Sequence, residues 1–170
     1  ALDMAIQAVK QGDADVLVTM PINKAAMPQD IFPYKGHTEY LQAQAGIEGE
    51  DALMILAQDK LRTALVTMHE PIARVPSLIT REQILDKLKA FDRSLRMDFG
   101  IVRPRIAVMA LNPHAGDSGL IGTEESDTIR PAVQEAEEQG LLVFGPYAAD
   151  GVWGSDLALH FDWILSMSHD

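Results

Sequence analysis

A chain of 170 residues, 47% hydrophobic and 23% charged, is long and apolar enough to bury one sizeable core, which excludes a disordered segment. Its 25 Asp and Glu against 14 Lys and Arg leave a net charge of −11, which argues against nucleic acid as a partner because phosphate backbones are held by Lys and Arg. Cysteine is absent, so disulfides and thiolate zinc ligands are excluded; no run approaches the roughly 18 apolar residues of a membrane span and no signal peptide opens the chain, so a cytoplasmic protein with no membrane partner is expected.

Leu2, Ala5, Ile6 and Val9 recur at helical spacing and predict a helix over 1–12, stopped by Gly12. The β-branched run Ala14–Met20 predicts a buried strand ending in Pro21-Ile-Asn-Lys24. A loop over 28–35 follows, then a helix over 37–45 opened by Gly36. Two apolar runs, 52–57 and 62–68, read as neighbouring strands joined by a turn. Thr80 should cap a long amphipathic helix through about Arg96, with Ile84, Leu85, Leu88, Phe91 and Leu95 as its buried stripe. Arg105–Leu111 predicts a strand, 112–119 a loop rich in turn formers, and 124–139 an acidic helix capped by Gly140. A strand over 141–144, a loop over 145–155 holding Asp150, a short helix through Leu159 and a last strand over 163–167 complete the chain. Strands alternating with helices predict a doubly wound, three-layer α/β/α fold. No Met opens the chain and a strand signal stops at its other end, so a central piece of a longer protein is expected.

Three of the five histidines, His69, His114 and His169, each fall just past a predicted buried strand. In a parallel α/β sheet the carboxyl ends of the strands line the ligand crevice. Three imidazoles delivered there can bind a divalent metal and leave positions open for substrate. In Asn112-Pro-His-Ala-Gly116, proline stiffens the turn, glycine allows close backbone approach, and Asn112 can orient the imidazole. The glycines that follow fit neither a dinucleotide fingerprint nor a P-loop, and Glu124 and Glu125 read as first-turn residues that favour the helix dipole. His37 and Thr38, at a helix start, suit an anion. Lys24 is a candidate cation for a phosphate or an enolate, and Asp150 and Asp170 are candidate metal ligands or proton carriers. His160, on a helix with no motif around it, reads as structural.

The segments Leu17-Val-Thr-Met-Pro-Ile-Asn-Lys24, Gly36-His-Thr-Glu39, Thr67-Met-His-Glu-Pro71, Leu111-Asn-Pro-His-Ala-Gly-Asp117, Gly122-Thr-Glu-Glu125 and Met167-Ser-His-Asp170 occur together in one order. In them the chain resembles, over all 170 residues, the 4-hydroxythreonine-4-phosphate dehydrogenases of pyridoxal phosphate synthesis. The resemblance implies an isocitrate/isopropylmalate dehydrogenase-like fold of two α/β domains, of which residues 1–170 are the central portion. It also implies a homodimer whose metal site draws ligands from both subunits. It assigns His69, His114 and His169 to the metal, His37 and Thr38 to the substrate, and Lys24, Asp150 and Asp170 to the catalytic region. The family pattern continues past His169-Asp170 into Gln-Gly and substrate-holding Lys, Asn and Arg positions. Asp117 stands where the family commonly has Glu, a shorter reach with the same charge.

The expected reaction is NAD- or NADP-dependent, metal-assisted oxidation and decarboxylation of 4-phosphohydroxy-L-threonine, a small phosphorylated hydroxy acid. A trihistidine set suits Zn²⁺, with Mg²⁺, Mn²⁺ or Co²⁺ as alternatives. The rivals are a paralogue acting on another four-carbon phosphorylated acid or on a cyclic diol, and a phosphotransacetylase-like enzyme, which would need no metal triad.

Overall fold

The computed structural model describes residues 1–23, 27, 30, 32–34, 36–45, 52–58 and 61–169, in two units, Ala1–Ala52 and Leu53–Asp170. In the first unit, helix α1 (Leu2–Gln11) has Asp3 in its first turn and Lys10 in its last, both favourable to the dipole. Gly12 ends it at φ 78°, the left-handed backbone in which a Cβ is penalised. Helix α2 (His37–Ala45) buries Tyr40, which packs with Ile6 and Phe32 in a small core. The rings of Phe32, Tyr34 and Tyr40 lie 5.1 to 5.3 Å apart. The Tyr40 hydroxyl donates to the Asp3 carboxylate; ionising the phenol would break that bond and set two negative charges together, so its pKa is pushed up to about 12.

The strand expected over Ala14–Met20 does not form. Leu17 packs against the small core, but Val16, Val18 and Met20 are 72%, 85% and 80% exposed. A β-branched run favours extended backbone, yet a strand also needs a neighbour to receive its N–H and C=O groups. Among the described residues no segment pairs with it.

The second unit is built on a sheet. Strands β1 (Ile55–Gln58) and β2 (Leu61–Leu65) form an antiparallel pair, with Ile55 opposite Ala64. A short helix α3 (Val75–Leu78) precedes α4 (Arg81–Met97), whose start is closed as expected: the Thr80 hydroxyl accepts the Gln83 N–H at 3.2 Å. All five residues of its predicted stripe are buried. Thr80→Ala should lower unfolding free energy by about 1 kcal/mol, typical of a lost N-cap, with an unchanged denaturant slope in equilibrium unfolding.

Strand β3 (Arg105–Met109) leads through a tight turn, Pro113–Gly119, and a π-helical turn, Glu125–Ile129, into α5 (Arg130–Glu138). Strand β4 (Leu142–Tyr147), helix α6 (Ala149–Trp153) and strand β5 (Trp163–Ser166) follow. The loop expected over 145–155 is therefore shorter than its turn residues suggested. Pro146 sits inside β4, which an edge strand tolerates because among the described residues no further strand pairs with it to need the missing N–H. His160 ends a short turn, Asp156–His160, and is exposed.

The sheet order is β1-β2-β5-β3-β4, with β2, β5, β3 and β4 mutually parallel. Side chains alternate between its two faces. Ile106, Val108, Trp163 and Leu165 join the core under α4 and α5, while Ala107, Met109 and Ile164 join Val152 of α6 on the other side. The handedness of parallel crossovers explains this division. The connections β2→β3 and β3→β4 advance across the sheet and carry α4 and α5 on one face; β4→β5 returns over β3, so its helix must cross the opposite face. The result is the expected three-layer α/β/α arrangement. Among the described residues no helix is long and apolar enough to cross a membrane.

Candidate active site

Because four strands share one direction, their carboxyl ends open on a single edge of the sheet. The connections leaving neighbouring β3 and β4 diverge to opposite faces, and such a divergence leaves a crevice. There the second unit has a cleft of about 550 Å³, within the range of small-ligand pockets. Met109, Asn112, His114, Asp150, Ser166 and His169 line it, together with the half-exposed indole of Trp153.

His114 follows β3 and Asp150 lies in the first turn of α6, just after β4. Neighbouring parallel strands thus deliver the two to the same spot, with His114 Nδ1 3.0 Å from Asp150 Oδ2. At that distance the carboxylate can accept a hydrogen bond from Nδ1–H, the tautomer that, in a neutral imidazole, keeps Nε2 as the acceptor nitrogen. Both side chains are well exposed, so the pair adds little stability; its effect is orientation.

The backbone under His114 is unusual. His114, Ala115, Gly116, Asp117 and Ser118 run consecutively in the left-handed region, at φ 52°, 53°, 76°, 42° and 57°. Left-handed backbone costs non-glycine residues roughly 1–2 kcal/mol each, so surrounding contacts must hold the turn. Asn112 Nδ2 donates to Glu124 Oε2 at 2.7 Å and to Glu125 Oε2 at 3.0 Å. The Glu124 carboxyl also accepts its own backbone N–H, and together with the Asn112 amide this holds it below the usual carboxylate range. Gly122 sits against this pair, where a Cβ would stand 2.6 Å from both Asn112 Nδ2 and Glu124 Oε2.

One expectation from the sequence is overturned at this turn: Asp150, not Asn112, meets the imidazole. Glu125 does fall in the first turn of its helix, as expected, but it is 3% exposed, with its carboxylate beneath the turn. The sequence carried a signal for this, since Glu125, Ile129, Ala132 and Ala136 share one helical stripe and all are buried.

His69 and His169 arrive by a symmetric route. Beyond β2 and β5 the two tails stay paired, Val66 N–H donating to Ser166 O and Thr67 N–H to Met167 O. The buried Thr67 hydroxyl adds a 2.8 Å bond to Met167 O. Each histidine stands two residues past this last pairing, both exposed, and His69 is also left-handed at φ 53°. His114 and His169 line the one cleft, while His69 lies at the adjoining strand end. Among the described residues no three His, Asp or Glu lie close enough within one copy to enclose a metal ion. The donor set of imidazole nitrogens and carboxylate oxygens at one sheet edge nevertheless suits a borderline divalent cation. In the first unit, His37 and Thr38 are the first two residues of α2, half-buried, with Tyr40 N–H bonded to Gly36 O. Lys24 and Asp170 lie outside the described residues.

Residues 1–170 match the family model described as pyridoxal phosphate biosynthetic protein PdxA. The 4-hydroxythreonine-4-phosphate dehydrogenase of Bacteroides thetaiotaomicron is 51% identical over 170 residues, covering 100% of this chain and 46% of that protein. That of Sulfurihydrogenibium sp. is 40% identical over 169 residues, covering 99% and 51%. Among solved structures, the 4-hydroxythreonine-4-phosphate dehydrogenase of Klebsiella pneumoniae superposes with TM-score 0.89 at 33% identity, covering 98% of this chain and 50% of that one. A terephthalate 1,2-cis-dihydrodiol dehydrogenase from Burkholderia xenovorans superposes with TM-score 0.76 at 26% identity, covering 99% and 52%. The chain spans about half the length of the relatives it matches.

Proposed function

This chain belongs to the pyridoxal phosphate biosynthetic protein PdxA family, and from that premise we propose that it is the central portion of a two-domain, homodimeric 4-hydroxythreonine-4-phosphate dehydrogenase. The reaction is oxidation of the secondary alcohol of 4-phosphohydroxy-L-threonine, with hydride transfer to NAD or NADP, followed by loss of the carboxylate as CO₂. The observation that carries this reading is the His114–Asp150 pair at the carboxyl edge of the sheet. When bound, a divalent metal, with Zn²⁺ favoured by the imidazole donors, supplies Lewis-acid polarisation of the alcohol, and the nicotinamide ring accepts the hydride.

His69 and His114 of one subunit, with His169 from its partner, are the residues assigned to hold the metal. Asp150 keeps the His114 proton on Nδ1 so that Nε2 is available as a ligand, the arrangement in which a carboxylate orients a metal-bound imidazole. Steady-state formation of reduced nicotinamide from 4-phosphohydroxy-L-threonine by the complete polypeptide tests the proposal. Activity should vanish with a chelator and return with added metal. In the Asp150→Asn variant metal affinity should fall roughly 10- to 100-fold. A polypeptide that turns over this substrate equally well with and without chelator would refute the metal role.

The likeness to the dihydrodiol dehydrogenase favours a second reading, a diol without phosphate. His37 and Thr38 separate the two. Helix N–H groups and the dipole at the start of α2 already favour an anion, and each side chain adds one donor. A hydrogen bond to a charged group contributes about 1.5 kcal/mol or more, so losing one should raise KM roughly 10-fold. His37→Ala and Thr38→Val should therefore raise KM for the phosphorylated substrate and leave metal content intact. A dephosphorylated analogue should respond to neither change; equal effects on both substrates would remove the phosphate from this site.

A further inference from the structure

Glu125 is a buried carboxylate that the reaction does not consume. Its Oε1 accepts the N–H groups of Leu111 at 2.9 Å and Asn112 at 2.7 Å, and its Oε2 accepts Asn112 Nδ2 at 3.0 Å. Leu111 and Asn112 are the residues by which the chain leaves β3, immediately before the left-handed turn that carries His114. The turn also approaches the same carboxylate at its midpoint, because a Cβ on Gly116 would stand 2.7 Å from Oε2 and 2.9 Å from Gly122 O. All three partners are donors, and both carboxyl oxygens of Glu125 meet them as acceptors. Burying such a group is costly unless donors surround it, and here they come from the segment that needs holding. The backbone of Glu125 is in turn anchored one turn away by fully buried Ile129.

We propose that Glu125 is a positioning residue for His114: by pinning Leu111, Asn112 and the turn over Gly116, it sets the imidazole against Asp150 and so selects the ring tautomer that serves the site. The metal consequence of this inference rests on the ligand role given to His114 above; the tautomer consequence does not.

The test uses Glu125→Gln in the complete polypeptide, with Gly116→Ala as a second variant that keeps the carboxylate and crowds it from above. Glutamine has the size of glutamate but turns an NH₂ donor toward at least one of three donors. In metal-free protein, at a pH where the ring is neutral, the ¹⁵N spectrum of the histidine side chains should show wild-type His114 as the Nδ1–H form. Glu125→Gln should shift it toward the Nε2–H form that an unconstrained imidazole prefers, as should Asp150→Asn. Metal affinity should fall roughly 10- to 100-fold in Glu125→Gln. Gly116→Ala should show the same two changes, and the double variant less than their sum, because both lesions act on one contact. A Glu125→Gln protein with lowered melting temperature but wild-type tautomer and metal affinity would overturn the proposal, leaving Glu125 a residue of the fold alone. Should Glu125→Gln fail to fold, wild-type tautomer and affinity in Gly116→Ala would overturn it equally. If the tautomer shifts in these variants while His114→Ala binds metal as wild type does, positioning stands and the ligand role of His114 falls.

Discussion

Replacing His114 with alanine is expected to lower the metal affinity of the complete polypeptide by more than ~100-fold, beyond the upper end of what loss of a supporting partner costs. The expectation rests on how the imidazole is presented. It stands on five consecutive left-handed residues, with Nδ1 engaged by Asp150. A backbone so disfavoured persists only where neighbouring contacts over-determine it, and such places cluster at functional sites. His69 shares both the left-handed backbone and the strand-end position, so His69→Ala should behave alike. Titration of the metal-free variants with Zn²⁺ or Co²⁺ against a competing chelator measures the change. Unaltered affinity in all of His69→Ala, His114→Ala and His169→Ala would show that the metal site lies elsewhere.

Mixing two inactive chains should restore activity. Within one copy the described residues bring no three ligands together, although His114 and His169 face one cleft and His69 stands beside it. In the proposed homodimer, His69 and His114 of one subunit would share a site with His169 of the other. A hybrid of His169→Ala with His114→Ala then holds one site with every ligand and one with both lesions. In a random equimolar mixture about half the dimers are hybrids, so roughly a quarter of wild-type activity should return in a two-fold symmetric dimer. If hybrid dimers form, as mass spectrometry of the native mixture can show, and no activity returns, each subunit builds its own site.

Much of the candidate site is legible in the sequence, because position at a strand end is a local property. The runs ending at Met68, Leu111 and Met167 announce buried strands by their apolar content, and the polar residue after each must fall at the sheet's edge. Glu125 is not legible in that way. A helix start rich in acidic residues has a local explanation in the dipole, and only the stripe it shares with Ile129 and Ala132 points inward. Asn112 misleads for a similar reason. Its neighbour in sequence is the His114 turn, while its neighbours in space are the two carboxylates of the following helix.

By itself the sequence determined the elements whose stability is local: α1 with its glycine stop, α4 with the Thr80 cap and its five-residue stripe, and the strands around Ala64, Ala107 and Ile164. Periodicity tells which face of an element is buried, and that is enough to place the histidines at one edge of a parallel sheet. The tertiary structure alone decided what each of those faces meets. It put β5 between β2 and β3, so that the tails carrying His69 and His169 pair, and it set β4 beside β3, so that Asp150 meets His114. It also left Ala14–Met20 without a strand to pair with among the described residues, despite the strongest β-branched run in the first unit. The reason is the same throughout: helix and strand propensities act over a few residues, whereas strand order and side-chain partnership depend on which distant segments can bury their apolar faces together.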